Sequence, residues 1–208
     1  MIDQDTFERI KTKHGHYASW AVWAEVGNKP KSNVGDLSIF EPKENHGLLE
    51  QLNPNFVLVC LNISRGIQFP CFGNFHDGRG KSQDFKIRYA LTGTILWGAY
   101  MTDIIKNVEQ KSSKELTAYL RQHPSAVSEN VEQFTDELSD LGVKQPTLVA
   151  FGGDVHEILS KSRNLSGRYD IWPAPHFSSY MSKENYRKGI AEIVERKAGP
   201  SGFRVGHG

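Results

Sequence analysis

The chain has 208 residues, enough for one substantial core or two small ones. Charged residues make up 24% and nearly cancel to a net charge of +1, so a broadly basic nucleic-acid-coating surface is excluded and any such contact is local, or the partner small. The only cysteines are Cys60 and Cys71, with no CxxC pair, which excludes a Cys-rich zinc or iron–sulfur site and a disulfide framework. Cys60 lies in an apolar run and is expected to be a buried, inert thiol. Low cysteine usage, an acidic amino terminus without a signal-peptide stretch, and no apolar run of membrane-spanning length together predict a cytoplasmic protein with no membrane partner.

In chain order, residues 5–13 read as a short helix, and Tyr17 to Ala24 as an aromatic stretch ambiguous between helix and strand. Residues 27–47 carry the breakers Pro30, Gly35, Pro42 and Gly47 and read as loop. Phe56-Val57-Leu58-Val59-Cys60-Leu61 is continuously apolar, the pattern of a parallel strand buried on both faces. A long Gly- and aromatic-rich loop runs from Asn62 to about Gln83; loops of that length are usually functional. A helix over 84–96 follows, with Ile87, Leu91 and Thr94–Ile95 on one face, then a strand over Ala99 to Thr102 that ends in Asp103. A helix over 114–121 precedes a strongly periodic one after Ser128, built on Val131, Phe134, Leu138 and Leu141 and closed by Gly142. Thr147 to Phe151 is the third strand, and Gly152-Gly153-Asp154 opens a helix carrying Val155, Ile158 and Leu159. Tyr169 to Trp172 is the fourth strand, and a helix from about Ser182 uses Tyr186, Ile190, Ile193 and Val194. Residues 199–208 read as a frayed tail.

Strand, helix and strand alternate repeatedly, which predicts an α/β fold: a single three-layer α/β/α domain with a central four-stranded parallel sheet. Its core spans residues 55–195 and residues 1–50 form an N-terminal extension. In such sheets ligands bind beyond the carboxyl ends of the strands. Asn62 leaves the first strand, where its amide can hold a water or a carbonyl, or simply turn the chain. Asp103 leaves the second; it can accept from a ligand N–H edge or cap a helix. His176 leaves the fourth, followed by Phe177, Ser178 and Ser179. The histidine can donate to a developing negative charge or move a proton, and the serine hydroxyls can bind a phosphate or cap the next helix. Each signal is weak alone; three of them on one rim carry more weight.

Two further groups stand out. His76-Asp77, within Gly73-Asn74-Phe75-His76-Asp77-Gly78, is either an acid/base pair or a surface turn, and Phe75 beside it either stacks on a flat ligand or belongs to the core. Gly152-Gly153 before a helix lacks a GxGxxG or Walker context and reads as tight strand-to-helix packing. Arg65, Arg79, Lys81, Lys86 and Arg88 cluster around the long loop and read as a solvated face diluted by Asp77 and Asp84. The scattered histidines make no convincing metal site, and no GxSxG elbow occurs.

The order of these rim motifs resembles the uracil-DNA glycosylase superfamily. Cys60-Leu61-Asn62-Ile63-Ser64 is similar to the GxNPG or GxNPS motif that follows the family's first strand, matching at Asn62 and Ser64. Tyr100-Met101-Thr102-Asp103-Ile104-Ile105-Lys106 is similar to a YITNVVK-like second-strand motif, with Asp103 where the family has an Asn that reads the pyrimidine edge. His176-Phe177-Ser178 resembles the last motif, HPS, with Phe for Pro; the literal His123-Pro124-Ser125 is set aside because no strand precedes it. The resemblance spans residues 55–195 and implies hydrolysis of the N-glycosidic bond of a base in DNA, without a cofactor. It implies that His176 stabilises the leaving base anion, Asn62 positions water, and Asp103, Phe75, Ser64, Ser178, His76 and Asp77 bind the substrate. An ionised Asp103 would set an oxygen against uracil O4, so uracil is expected to be a poor substrate. A non-catalytic nucleotide or nucleic-acid binding module on the same fold is the alternative, and a small-molecule hydrolase using His76 and Asp77 a third.

Overall fold

The computed structural model describes residues 2–63, 70–106, 108 and 113–202. Five strands form one sheet in the order β1-β3-β2-β4-β5: β1 (Ser19–Trp20), β2 (Asn53–Asn62), β3 (Ala99–Ile105), β4 (Thr147–Phe151) and β5 (Ile171–Ala174). Adjacent pairs from β3 to β5 run parallel, whereas β1 lies antiparallel on β3, pairing Ser19 with Met101 and Trp20 with Tyr100. The sheet is therefore mixed and five-stranded, not the four-stranded all-parallel sheet expected. A two-residue strand is too short to show a period in the sequence; what holds it is the Trp20 indole, edge-on to Tyr100 with ring centres 5.1 Å apart.

Helices cover both faces. Side chains alternate along each strand, so Val57 and Val59 of β2 and Leu148 and Ala150 of β4 enter one core, and Leu58, Cys60, Val149 and Phe151 the other. The first core is closed by α1 (Gln4–His14), α4 (Ser113–Gln122), α5 (Pro124–Asp140) and α6 (Gly153–Lys161), through Phe7, Leu116, Phe134 and Val155 among others. The second is closed by α3 (Asp84–Leu91) and α8 (Lys183–Ala198), through Ile87, Leu91, Tyr186 and Ile190. Shorter helices, α2 (Leu48–Gln51) and α7 (Arg163–Ser166), occupy connections. Among the described residues no helix is long and apolar enough to cross a membrane.

The N-terminal fifty residues are built into this body. Asp3 caps α1 by accepting from the Thr6 N–H at 2.8 Å, and the far end of α1 is tied to α5 where His14 Nε2 meets Asp140 Oδ2 at 2.9 Å. Several boundaries differ from expectation: β2 begins at Asn53 rather than Phe56, and β3 runs on to Ile105, so Asp103 lies inside that strand and does not end it. α3 stops at Leu91, because Thr92 and the left-handed Gly93 (φ +80°) end it and the Thr94 hydroxyl donates to the Leu91 carbonyl. α5 starts at Pro124, where a proline in the first turn costs no hydrogen bond. β5 is shifted towards Pro173, which an edge strand tolerates.

Candidate functional site

Because β2 to β5 run parallel, their carboxyl ends share one edge of the sheet, and a cavity of about 510 Å³ opens there. Asn62, Asp103, His176, Phe75, Asp77 and Ser178 all line it. Asn62 ends β2 and its Nδ2 lies 3.3 Å from the Ile63 carbonyl. Asp103 lies on the adjacent strand in register with Cys60, two residues short of that end. His176 follows β5 by two residues. Ser64 and Arg65 lie outside the described residues.

Asp103 is 1% exposed and has no ion-pair partner among the described residues. Its Oδ2 accepts from Asn74 Nδ2 at 2.8 Å. Burial pushes its pKa up to about 7, against the smaller opposing effects of the Asn74 hydrogen bond and the nearby Lys106 charge. The Lys106 ammonium points elsewhere: it donates to the Asp103 backbone carbonyl at 2.7 Å and pairs with Glu137 Oε2 at 2.8 Å. Glu137 also accepts from the Tyr100 hydroxyl at 2.6 Å, so the floor behind Asp103 is a buried and internally matched network.

Asn74 was not singled out by its sequence context, yet it organises the wall. Its Nδ2 donates to the Tyr17 carbonyl at 2.7 Å as well as to Asp103, and its Oδ1 accepts from the Phe75 N–H at 3.1 Å. Phe75 itself is left-handed at φ +67°, a strained conformation for an aromatic residue. The signal that could have found Asn74 is its place between a glycine and an aromatic, where an Asx side chain stabilises an unusual turn.

His176 is placed by a local loop. The Ser178 N–H donates to Nδ1 at 3.1 Å and the Ser178 hydroxyl lies 2.7 Å from the same nitrogen. Nδ1 is thus an acceptor, so the neutral ring carries its hydrogen on Nε2. Burial lowers the pKa to about 4, which keeps the ring neutral at pH 7. The ring stacks on Phe177 with centres 4.4 Å apart. The Ser179 hydroxyl, considered for phosphate binding, donates instead to the His176 carbonyl at 2.5 Å. Gly152 and Gly153, also on the cavity wall, make the tight turn from β4 into α6; Gly152 has φ +101°, and a Cβ there would lie 3.8 Å from that of His176.

His76 does not line the cavity. Its ring is buried between Trp23 and Phe40, at centre distances of 5.1 and 5.2 Å, and its Nε2–H donates to the Trp20 carbonyl at 3.3 Å. Burial drives its pKa down to about 3. Asp77 instead faces the cavity and takes a two-point contact from Arg79, at 2.8 and 3.0 Å. The His76 ring enters the core while Asp77 lines the cavity, which separates the acid/base pair that the sequence offered. Arg88 is likewise not a solvated residue: it is 2% exposed and its guanidinium donates to the carbonyls of Ala24, Pro30 and Ser32.

The cavity is acidic. Among the described residues, Asp77, Asp84, Asp103 and Asp154 line it against one lysine, Lys81, with Asp77 already paired to Arg79. Among the described residues no cluster of three or more His, Cys, Asp or Glu is arranged to hold a metal ion. Cys60, on the same wall, is buried and its thiol is held well above its ordinary pKa by that burial. Compared with models of known protein families, with curated proteins and with solved structures, the chain shows no match.

Proposed function

We propose that the cavity binds a nucleobase in the manner of the uracil-DNA glycosylase superfamily, and that the protein hydrolyses the N-glycosidic bond of a damaged or modified base in DNA. The observation that carries this reading is the convergence of Asn62, Asp103 and His176, from separate parallel strands, on one cavity that Phe75 also lines. The parallel order β3-β2-β4-β5, with helices on both faces, is in keeping with the four-stranded core such a fold requires. A cavity of about 510 Å³ falls within the range of small-molecule sites.

In this reading the base leaves the stack and enters the cavity against the Phe75 ring. Bond cleavage leaves positive charge on the sugar and negative charge on the base. The His176 Nε2–H donates to the base oxygen as that charge develops; a neutral donor suffices, and its geometry is fixed before the reaction by Ser178. The Asn62 amide orients the attacking water. The acidic wall favours a second reading, a non-catalytic pocket for a free base or nucleoside, since four carboxylates oppose a phosphate backbone in close approach.

A cleavage panel tests both. Duplex and single-stranded oligonucleotides carrying deaminated, oxidised or alkylated bases are incubated with the full chain and with His176→Ala and Asn62→Ala. Cleavage of at least one base, lowered about 100-fold or more by His176→Ala and also lowered by Asn62→Ala, is expected. Cleavage indifferent to both changes removes this site. Absence of cleavage together with nucleoside binding selects the non-catalytic pocket.

A further inference from the structure

The wall of the cavity carries information about which base fits, and the orientation of one amide supplies it. Asn74 cannot be flipped without loss: Oδ1 accepts from the Phe75 N–H, and Nδ2 gives one hydrogen to the Tyr17 carbonyl and the other to Asp103 Oδ2. Asp103 Oδ2 is therefore an acceptor towards Asn74. No described residue donates to Oδ1, and the nearest buried cation, Lys106, is committed to Glu137 and to the Asp103 backbone carbonyl. A carboxylate that is 1% exposed and pairs with no cation among the described residues is costly to bury unless something else supplies N–H donors. The other polar group considered, His176, offers the opposite character: with Nδ1 accepting from Ser178, its remaining atom is a donor.

We infer that the site selects a base of the guanine type, one whose pairing edge carries a ring N–H beside an exocyclic amino group, with a neighbouring oxygen. This rests on the nucleobase reading above and narrows it. Guanine N1–H and N2–H are adjacent donors that a carboxylate can accept in a two-point contact, and O6 is an acceptor for the His176 Nε2–H. The other bases each set an acceptor against Asp103: O4 of uracil, N3 of cytosine, N1 of adenine. Such a mismatch in a closed site is penalised because neither group retains water. Guanine derivatives altered away from this edge, at C8 for example, keep the same donors. The acidic lining from Asp77, Asp84 and Asp154 works in the same direction, since it raises the cost of any further acceptor and favours donor-rich ligands.

Asp103→Asn turns this into a specificity switch. Asn74 Nδ2 still needs an acceptor at the inner position, so the new side chain keeps its oxygen there and turns its NH2 to the cavity. The edge then offers a donor where it offered an acceptor. The test is calorimetric titration of the full chain with deoxyguanosine, deoxyadenosine, deoxycytidine and deoxyuridine at pH 8, before and after this substitution. Deoxyguanosine is expected to bind at least about tenfold more tightly than deoxyuridine, and the ratio to fall below one in the variant. The ratio of two affinities does not depend on the fraction of protein folded, so partial destabilisation cannot mimic the result. Binding of nucleosides without a preference for deoxyguanosine, or a preference that Asp103→Asn leaves unchanged, overturns this inference and leaves the nucleobase reading standing. Failure of all four nucleosides to bind overturns both.

Discussion

Two sets of polar groups removed from solvent occur in this molecule, and they differ in what meets them. Behind the cavity, His76 is surrounded by Trp23 and Phe40 with its Nε2–H on a carbonyl, and Lys106 is paired with Glu137 while its ammonium lies 5.1 and 5.4 Å from the ring centres of Tyr17 and Phe134. In the cavity wall, Asp103 is just as buried but pairs with no cation among the described residues, and His176 shares one ring nitrogen with Ser178 and keeps the other as a donor. Both histidines are neutral at pH 7 for the same reason, burial. The shift alone therefore does not separate the two; what differs is where the free ring nitrogen lies, since His76 Nδ1 is buried in the core without a partner whereas the His176 ring lines the cavity.

The largest expected effect lies in the matched set. Glu137→Gln keeps a partner for the Tyr100 hydroxyl but leaves Lys106 as an uncompensated buried charge, and a loss of about 3–5 kcal/mol is expected in urea denaturation. A loss below about 1 kcal/mol would mean that the network is not the rigid floor inferred for Asp103. The histidines sharpen the contrast directly. His76→Ala removes a ring packed among Trp23 and Phe40 and is expected to cost about 2–4 kcal/mol. His176→Ala, at a partly buried ring on the cavity wall beside Phe177, is expected to cost less than about 1 kcal/mol in the same measurement. Equal losses at the two positions would dissolve the distinction between floor and wall.

The sequence carried the existence and order of the parallel strands well, because they depend on short-range pattern, while the ends of β2, β3 and β5 moved by one to three residues. β4 appears at its expected bounds, Thr147–Phe151, and Ser182 caps α8 as its context suggests, accepting from the Asn185 N–H at 3.1 Å. Asn62 and His176 could be named because residues at or just past the ends of buried parallel strands are easy to locate from apolar runs, and Asp103 because a carboxylate interrupts such a run, two residues before β3 ends. Contacts between distant segments left no such trace. Asn74 reaches Asp103 across 29 positions and Tyr17 across 57, and no local period encodes either bond. The same limit explains His76. A histidine flanked by glycines in a polar loop reads as exposed, and only the arrival of Trp20 and Trp23 from the N-terminal segment buries it. Those residues reach it because β1 joins the sheet edge, a two-residue pairing that carries no pattern of its own.

A further expected effect concerns the cost of keeping the wall unmatched, and its sign can be worked out. Asp103 has its pKa raised to about 7 from 3.8, so between these values the folded protein holds the proton that the unfolded chain has lost. Its contribution to stability therefore declines as pH rises through that window and stays lost above it. The two histidines act in the opposite sense. Their folded values, about 3 for His76 and about 4 for His176, lie below 6.5, so the unfolded chain binds the extra protons and stability rises with pH up to about 6.5. Asp103→Asn deletes only the first of these trends. The variant should match the parent near pH 4 and exceed it by about 1–3 kcal/mol at pH 8, the increment expected when a buried, unpaired carboxylate no longer burdens the fold. Denaturation midpoints at the two pH values read this difference. A variant no more stable at pH 8 than at pH 4, relative to its parent, would show that the Asp103 carboxylate carries no burial penalty, and with it would go the reason for expecting a donor-bearing ligand at that wall.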